Sequence, residues 1–197
     1  GNYNEAMMEQ IADHGNGNYA YIDSALEARK VLGEQMEATL FTIAKDVKIQ
    51  VEFNPEKIAE YRLIGYETRA LNREDFNNDH VDAGDIGSGH SVTAIYEVTP
   101  KGSPAVLNDP LRYGKPATEA GAPSDELAFV KIRYKAPNED VSKLIETPVT
   151  EANAVASFDE AGVDQRFSVA VAAFGQKLRD GHALADMDYA RIADIAA

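Results

Sequence analysis

The chain has 197 residues, of which 44% are hydrophobic, so it is long and apolar enough to bury a core. Its 33 acidic and 19 basic residues give a formal charge of −14, which repels phosphate backbones and argues against nucleic acid as a partner. The absence of cysteine excludes disulfides, thiolate zinc sites, iron–sulfur clusters and cysteine nucleophiles, and no apolar run approaches the ~20 residues of a membrane span.

The first 45 residues predict a helix, a short strand and a second helix. Apolar positions in 4–14 indicate the first helix, which the run Gly15-Asn16-Gly17 ends, and residues 18–22 indicate the strand. Ser24 and Glu27 match a capping box, and the second helix should run to about residue 38 with an apolar face of Ala25, Ala28, Leu32 and Met36. One strand with two helices cannot form a buried parallel sheet. We therefore expect these elements to close an α/β domain whose other strands lie upstream, so that the chain is a fragment.

The pattern then changes to strands. Apolar residues alternate from Phe41 to Phe53 and predict a long strand that is bent near Lys45 and Asp46. Further strands are predicted at 61–67, 91–99, 127–135 and 143–150, the last at a sheet edge because it contains Pro148. A stretch rich in proline and glycine, 102–124, is expected to be a surface loop.

The end of the chain predicts helices. Ser157 and Glu160 match a capping box, and an apolar stripe follows at spacings of three and four, made of Phe167, Ala170, Val171, Phe174 and Leu178. Gly181 should end that helix. A last helix at 186–195 should face inward through Tyr189, Ile192 and Ala193. Helices, then strands, then helices indicate an α+β fold with an antiparallel β-sheet or sandwich core.

An acidic loop from Arg73 to His90 contains the best candidate for a cation site. Asp75, Asn77 and Asp79 repeat the beginning of a calcium-binding EF-hand loop. An EF-hand is excluded, because His80 occupies the position of the required glycine and Ile86 that of the bidentate glutamate. A looser calcium site, or a zinc site of His80 and His90 with Asp82 or Asp85, stays open beside the simpler interpretation as a turn-rich acidic loop.

Other motifs are incomplete. The run Gly84-Asp-Ile-Gly87-Ser-Gly89 lacks the Lys and Ser/Thr of a phosphate-binding loop and precedes a strand, so a turn or bulge is the better interpretation. No Gly-x-Ser-x-Gly elbow is present. The tyrosines of the predicted strands suit a carbohydrate-binding face less well than a core: Tyr61, Tyr66, Tyr96 and Tyr134. We therefore assign no catalytic, cofactor-binding or metal-ligating residue in this chain.

Long stretches of the sequence resemble a known family. They are GNYNEAMMEQIADHGNGNYAYID, LFTIAKDVKIQVEFNPEKIAEYRLIGYETRALNREDFNND and DAGDIGSGHSVTAIYEVTP, followed near the end by FSVAVAAFGQKLRDG. Together they resemble bacterial von Willebrand factor type A (VWA) proteins of the YfbK-like kind, in which a region of uncharacterised function follows the VWA domain. The resemblance implies that residues 1–45 are the C-terminal remnant of the VWA domain and that 46–197 form a β-rich C-terminal domain ending in helices.

The resemblance places the family's divalent-cation site, an Asp-x-Ser-x-Ser loop with a further Thr and Asp, in the missing upstream part. Asp23-Ser24-Ala25 begins similarly but has Ala25 where the first Ser of the pair should follow, and it fits a helix cap, so no metal ligand is carried over.

The function expected from the resemblance is a non-enzymatic protein-interaction or structural region in adhesion or envelope-complex assembly, located outside the cytoplasm. Its expected partners are proteins, including a MoxR-type ATPase or a second copy bound through the truncated VWA segment. The alternative is a metal- or carboxylate-dependent hydrolase of envelope polymers, suggested by the acidic loop and its histidines.

Overall fold

The computed structural model describes residues 4–15, 17–36, 40–65, 71–108, 125–180 and 187–197. The helices in these ranges are α1 (Glu5–His14), α2 (Ala25–Arg29, continued by a π-helical turn at Lys30–Glu34), α3 (Val163–Asp180) and α4 (Tyr189–Ala196). The strands are β1 (Thr42–Phe53), β2 (Ile58–Ile64), β3 (Gly84–Gly87), β4 (Ile95–Pro100), β5 (Glu126–Lys135) and β6 (Lys143–Thr150). The predicted α+β class is confirmed.

The strands form two sheets. One has four strands in the order β3-β1-β5-β6, and the other pairs β2 with β4. Both β1–β3 and β2–β4 are antiparallel, as predicted. β6 lies at a sheet edge, where the missing N–H of Pro148 is tolerated. The turn or bulge expected at 84–89 is instead partly a strand, β3, because its backbone pairs with β1.

The bend predicted in the first long strand is confirmed at Asp46. This residue has a φ of 50°, and the register of β1 against β3 shifts between Ala44 and Val47. An extra residue in one strand disrupts the ladder and bends that strand. Aspartate tolerates the left-handed conformation better than most residues with a Cβ. The bulge therefore redirects the Asp46 side chain at this point.

At the N-terminal end both helices are present, and Ser24 caps α2 by accepting a hydrogen bond from the backbone N–H of Glu27 at 3.1 Å. The prediction of a strand at 18–22 is wrong, because these residues do not form a strand. Strand structure requires a neighbouring backbone to pair with, and the described part of the chain supplies none here.

At the C-terminal end α3 and α4 pack on each other through Ala170, Ala173 and Ile192. Two expectations are wrong. Ser157 makes no capping hydrogen bond and precedes a 3₁₀ turn, so that α3 begins later, at Val163. Only Ile192 of the predicted inward residues is buried, because α4 packs on α3 through Ile192 and Ile195, which leaves Tyr189 and Ala193 exposed. The predicted end at Gly181 lies outside the described residues.

Contacts divide the chain into two compact units. One consists of Gly1–Lys48, Asn77–Ser91 and Ile132–Leu144, and the other of Ile49–Phe76, Val92–Lys131 and Ile145–Ala197. The division of the chain at residues 45 and 46 into a VWA remnant and a C-terminal domain stays a prediction. Among the described helices, none combines the length and apolar character needed to cross a membrane.

Candidate functional site

The first unit contains a cluster of charged side chains around the Asp46 bulge. The Asp46 carboxylate accepts hydrogen bonds from the Lys135 ammonium on β5, at 2.6 Å, and from the backbone N–H of Ala83, at 3.2 Å. The backbone N–H of Asp46 donates to a carboxylate oxygen of Asp85 at 3.1 Å. The bulge thus connects β1 to the acidic loop and to β5 in one hydrogen-bonded network.

Two lysines fix the backbone of the acidic loop. Lys48, on β1, is only 2% exposed, and its ammonium donates to the carbonyl oxygen of Asn78. Lys135 also donates to the carbonyl oxygen of Asp79 at 2.7 Å. Burial of an ammonium is costly unless polar groups replace its hydration. The carbonyl contacts of these lysines therefore tie the position of the loop to the strands.

Arg133, two residues before Lys135 on β5, makes further contacts. Its guanidinium donates to the Ser142 hydroxyl at 2.9 Å and to the Asn77 side-chain oxygen at 3.2 Å. Alternate residues of a strand lie on one face, so the alternation of basic residues in β5 directs these two cations to the same region. The Asp79 carboxylate accepts a hydrogen bond from the backbone N–H of Ser142, at 3.4 Å.

The pKa values of two carboxyl groups in the cluster, those of Asp46 and Asp82, are shifted in opposite directions. Burial works to raise the pKa of Asp46, but the hydrogen bonds from Lys135 and Ala83 hold this pKa below the usual 3.8. Burial, a hydrogen bond with Asp46 and the charge of Asp46 raise the pKa of Asp82. A carboxyl pair of this kind retains a proton on one member more readily than two separate carboxylates do.

The predicted site residues are only partly brought together. Asp79, Asp82 and Asp85 belong to the cluster, whereas His90 is exposed and its backbone N–H donates to Gly87 in a turn. Within the described ranges, no group of three or more His, Cys, Asp or Glu side chains is arranged to hold a metal ion. The looser calcium site and the zinc site therefore gain no support from the geometry.

Sequence reasoning missed the central residues of this cluster: Asp46, Lys48, Arg133 and Lys135. Each reads as the polar member of an alternating strand, which is ordinarily solvated. The only sequence signals were the interruption of the β1 alternation and the basic alternation of β5. Neither indicates which loop the side chains contact.

The second unit has a shallow pocket of about 240 Å³ lined by Gln50, Val51, Glu52, Phe53, Tyr61 and Arg73. The Phe53 ring lies 4.6 Å from that of Tyr61 and 5.2 Å from that of Tyr96, measured between centroids. Burial, and then the proximity of Tyr61, raise the pKa of Tyr96. The core interpretation is wrong for Tyr61, which is exposed although its ring lies beside that of Phe53. Tyr66 lies outside the described residues.

Large apolar side chains are exposed on the helices of both units. In the first unit they include Met7 and Ile11 on α1 and Leu26 on α2, which is 79% exposed. In the second they form a stripe along α3. Exposed apolar side chains that lie together on one face of a helix, as in the α3 stripe, are typical of interaction sites.

Comparison with known proteins places the chain in a family. The family model described as "Uncharacterized protein YfbK, C-terminal" matches residues 38–197. A relative from Escherichia coli (strain K12), "Uncharacterized protein YfbK", is 49% identical over 192 residues, which cover 97% of this chain and 32% of that protein. The chain thus spans about a third of the length of this relative. No solved structure matches. With most of its length matched by the family model and nearly half of its residues identical to those of this relative, the chain belongs to the YfbK C-terminal family.

Proposed function

We propose that this chain is a non-enzymatic protein-interaction and structural region of a VWA-domain protein. It would act outside the cytoplasm, in adhesion or in the assembly of an envelope complex. The observation that supports this proposal is the apolar surface of the first unit. α2 buries none of its residues, and Leu26, Leu32 and Met36 are exposed, as is Leu40 beyond them.

The amount of exposed apolar surface is large relative to the buried core. Among the described residues, only six hydrophobic side chains are buried. Covering an exposed leucine side chain contributes roughly 1.5–3 kcal/mol. A protein partner that covers several of these side chains would therefore gain substantial binding free energy. A MoxR-type ATPase is one such partner, by analogy with other VWA proteins.

The charged cluster is consistent with the structural part of this role. Asp46, Asp79 and Asp85 each accept hydrogen bonds from the backbone of the same unit. Groups used in this way hold the acidic loop in place. The hydrolase alternative depends on Asp79, Asp82 and His90. Replacing all three with alanine should abolish any hydrolysis of envelope polymers, whereas unchanged hydrolysis would remove that hypothesis.

Site-specific photo-crosslinking tests the interaction role. A photo-reactive residue placed at Leu26 or Leu32 in the full-length parent should give a defined crosslinked protein in envelope extracts. The same residue at Glu27, a partly exposed polar position on another side of α2, is the matched control. Leu26→Ser and Leu32→Ser should weaken capture of that protein by affinity pull-down while leaving the circular dichroism spectrum unchanged.

Pull-downs with this chain and with the full-length parent as parallel baits distinguish binding by this region from binding by the rest of the parent. If the chain alone captures the crosslinked protein, the interaction belongs to this region. Crosslinks no stronger at Leu26 and Leu32 than at Glu27 would contradict the proposal. Capture only by the full-length protein in the presence of Mg²⁺ would move the function to the upstream VWA site.

A further inference from the structure

Helix α3 has two apolar faces, and the larger side chains lie on the exposed one. Its small face, with Ala170 and Ala173, is buried against α4, and Ala173 is 0% exposed. The other face exposes two phenylalanines, Phe167 at 50% and Phe174 at 46%, together with Val171 and Leu178. A helix normally buries its bulky apolar residues, so this exposed stripe of Phe167, Val171, Phe174 and Leu178 needs a partner.

We propose that the exposed stripe of α3 is a self-association surface, on which a second copy of this chain pairs its own α3 in antiparallel orientation. This surface lies in the second unit and differs from the N-terminal segment discussed above. The proposal can therefore fail or succeed independently of the proposed function.

The spacing of the stripe supports a helix as the partner. The intervals of four, three and four residues over 167–178 follow a seven-residue spacing, which is the periodicity of paired helices with interlocking side chains. The positions flanking the stripe on one side, Ser168 and Gly175, are small and permit a close approach of two helix backbones. A helical partner is thus better matched to this surface than an extended peptide.

The order of side chains makes the stripe self-complementary. If two copies cross about a two-fold axis near residues 172 and 173, Phe167 faces Leu178 of the second copy and Val171 faces Phe174 of the second copy. Every layer then combines one aromatic and one aliphatic side chain, a combination that fills space well. A two-fold contact uses the same surface on both copies, as this arrangement does.

The helix dipoles favour the antiparallel orientation. Opposite ends of α3 lie side by side in an antiparallel pair, so the dipoles of the two copies oppose each other favourably. Both end turns carry mixed charge, with Asp164 and Arg166 in the first turn and Lys177, Arg179 and Asp180 in the last. The dipoles and the pairing of aromatic with aliphatic side chains therefore set the orientation.

The buried area indicates a weak but specific dimer. The neighbouring Tyr189 ring of α4, 6.3 Å from that of Phe174, extends the stripe. A fully exposed aromatic side chain contributes 150–250 Å², and the stripe residues and Tyr189 are each about half exposed. Covering these side chains on both copies removes on the order of 1,000 Å² from water, near the lower limit of a specific interface. We therefore expect a dimer that dissociates on dilution.

Sedimentation of the full chain at increasing concentration, up to ~100 μM, tests the proposal. The expected result is a monomer–dimer equilibrium that Val171→Lys shifts to the monomer. The thermal unfolding midpoint should be unchanged at concentrations where both proteins are monomeric, because dimerisation itself raises the midpoint. Arg29→Ser, at an exposed position of α2, is the control and should leave the dimer intact. A chain that stays monomeric throughout, or a dimer unaffected by Val171→Lys, would overturn the proposal.

Disulfide trapping tests the orientation and does not depend on that variant. The chain has no cysteine, so single thiols can be introduced. Oxidising a mixture of Phe167→Cys and Leu178→Cys copies should give a mixed disulfide, because these positions face each other in the antiparallel pair. Leu178→Cys alone should not crosslink. A Leu178→Cys homodimer without the mixed species would indicate parallel pairing and contradict the proposal.

Discussion

Replacing Ile192 by alanine tests the two-faced character of α3 through stability. Ile192 is 6% exposed and packs on Ala170 and Ala173, with Met187 and Ile195 beside it. The substitution removes three buried carbons, which is about 2.4 kcal/mol at ~0.8 kcal/mol each. A residual cavity adds to this cost, while relaxation of a short terminal helix reduces it. We therefore expect a loss of ~2–3 kcal/mol in the free energy of unfolding.

Leu178→Ala is the matched control, since it also removes three carbons but from a side chain that is 66% exposed. It should cost less than about 0.5 kcal/mol in the monomer. Urea denaturation followed by far-ultraviolet circular dichroism measures both variants, at a protein concentration low enough to exclude self-association. For a chain of this size, Ile192→Ala should also lower the unfolding midpoint by roughly 4–12 °C.

Hydrogen exchange of the α4 amides locates the effect. We expect Ile192→Ala to accelerate exchange in α4 more than in β1 or β5, because its contacts lie within the pair of helices. Equal losses of stability in the two variants would contradict the two-faced packing of α3. A larger loss for Leu178→Ala would mean that the stripe, and not the alanine face, is the buried surface of α3.

Three further predictions concern charge, backbone and salt. A raised pKa disfavours ionised Asp82 in the fold, so Asp82→Asn should stabilise the protein at pH 7 by less than about 1 kcal/mol. The gain should fade as the pH falls through the raised pKa and should be absent below the usual value of 3.8. The pKa of Asp46 is lowered, so its contribution to stability is present above pH 3.8 and is lost as the pH falls through the lowered value. Asp46→Asn should therefore destabilise the fold at neutral pH and do so less in acid. If Asp82→Asn and Asp46→Asn changed the free energy of unfolding in the same direction in urea titrations, the charged-cluster geometry would be contradicted. Gly102 has a φ of 81°, so Gly102→Ala should cost about 1–2 kcal/mol of stability, measured by thermal unfolding. Gly33→Ala is the control: a methyl group there enters open space within a helical turn, so the change should be neutral or stabilising. Equal effects of the two substitutions would argue against the left-handed turn. Arg62 and Glu97 form an exposed ion pair of 2.6 Å between opposite positions of β2 and β4. Glu97→Gln should therefore lower the free energy of unfolding by less than about 1 kcal/mol, and by nothing measurable in 1 M salt. Denaturation at two ionic strengths checks this prediction.

The long periodic segments were predictable from the sequence. Alternation located β1, including its bend at Asp46, and the bounds of β6 agree with the prediction at both ends. These signals are local, because a half-buried strand must alternate. The first helix and the Ser24 cap were predictable for the same reason: the capping contact spans three residues.

Features that depend on distant partners were not predictable. The segment 18–22 has strand-like residues but nothing to pair with in the described chain, whereas the glycine-rich β3 pairs with β1 although its residues favour turns. The contacts of Lys48 and Lys135 with the acidic loop join residues 30 and 56 positions apart. Composition and spacing carry no information about such long-range pairings.

The two faces of α3 lead to opposite expectations for stability and association. The alanine face permits α4 to approach closely, and a phenylalanine could not fit there without overpacking. The bulky residues are therefore confined to the other face, where a partner can cover them without any change in the fold. It follows that Ile192→Ala should lower stability and leave the dimer's orientation unchanged, whereas Val171→Lys should abolish the dimer and leave the stability of the monomer unchanged. If both variants affected both properties together, α3 would have a single shared interface, and the assignment of separate roles to its two faces would be wrong.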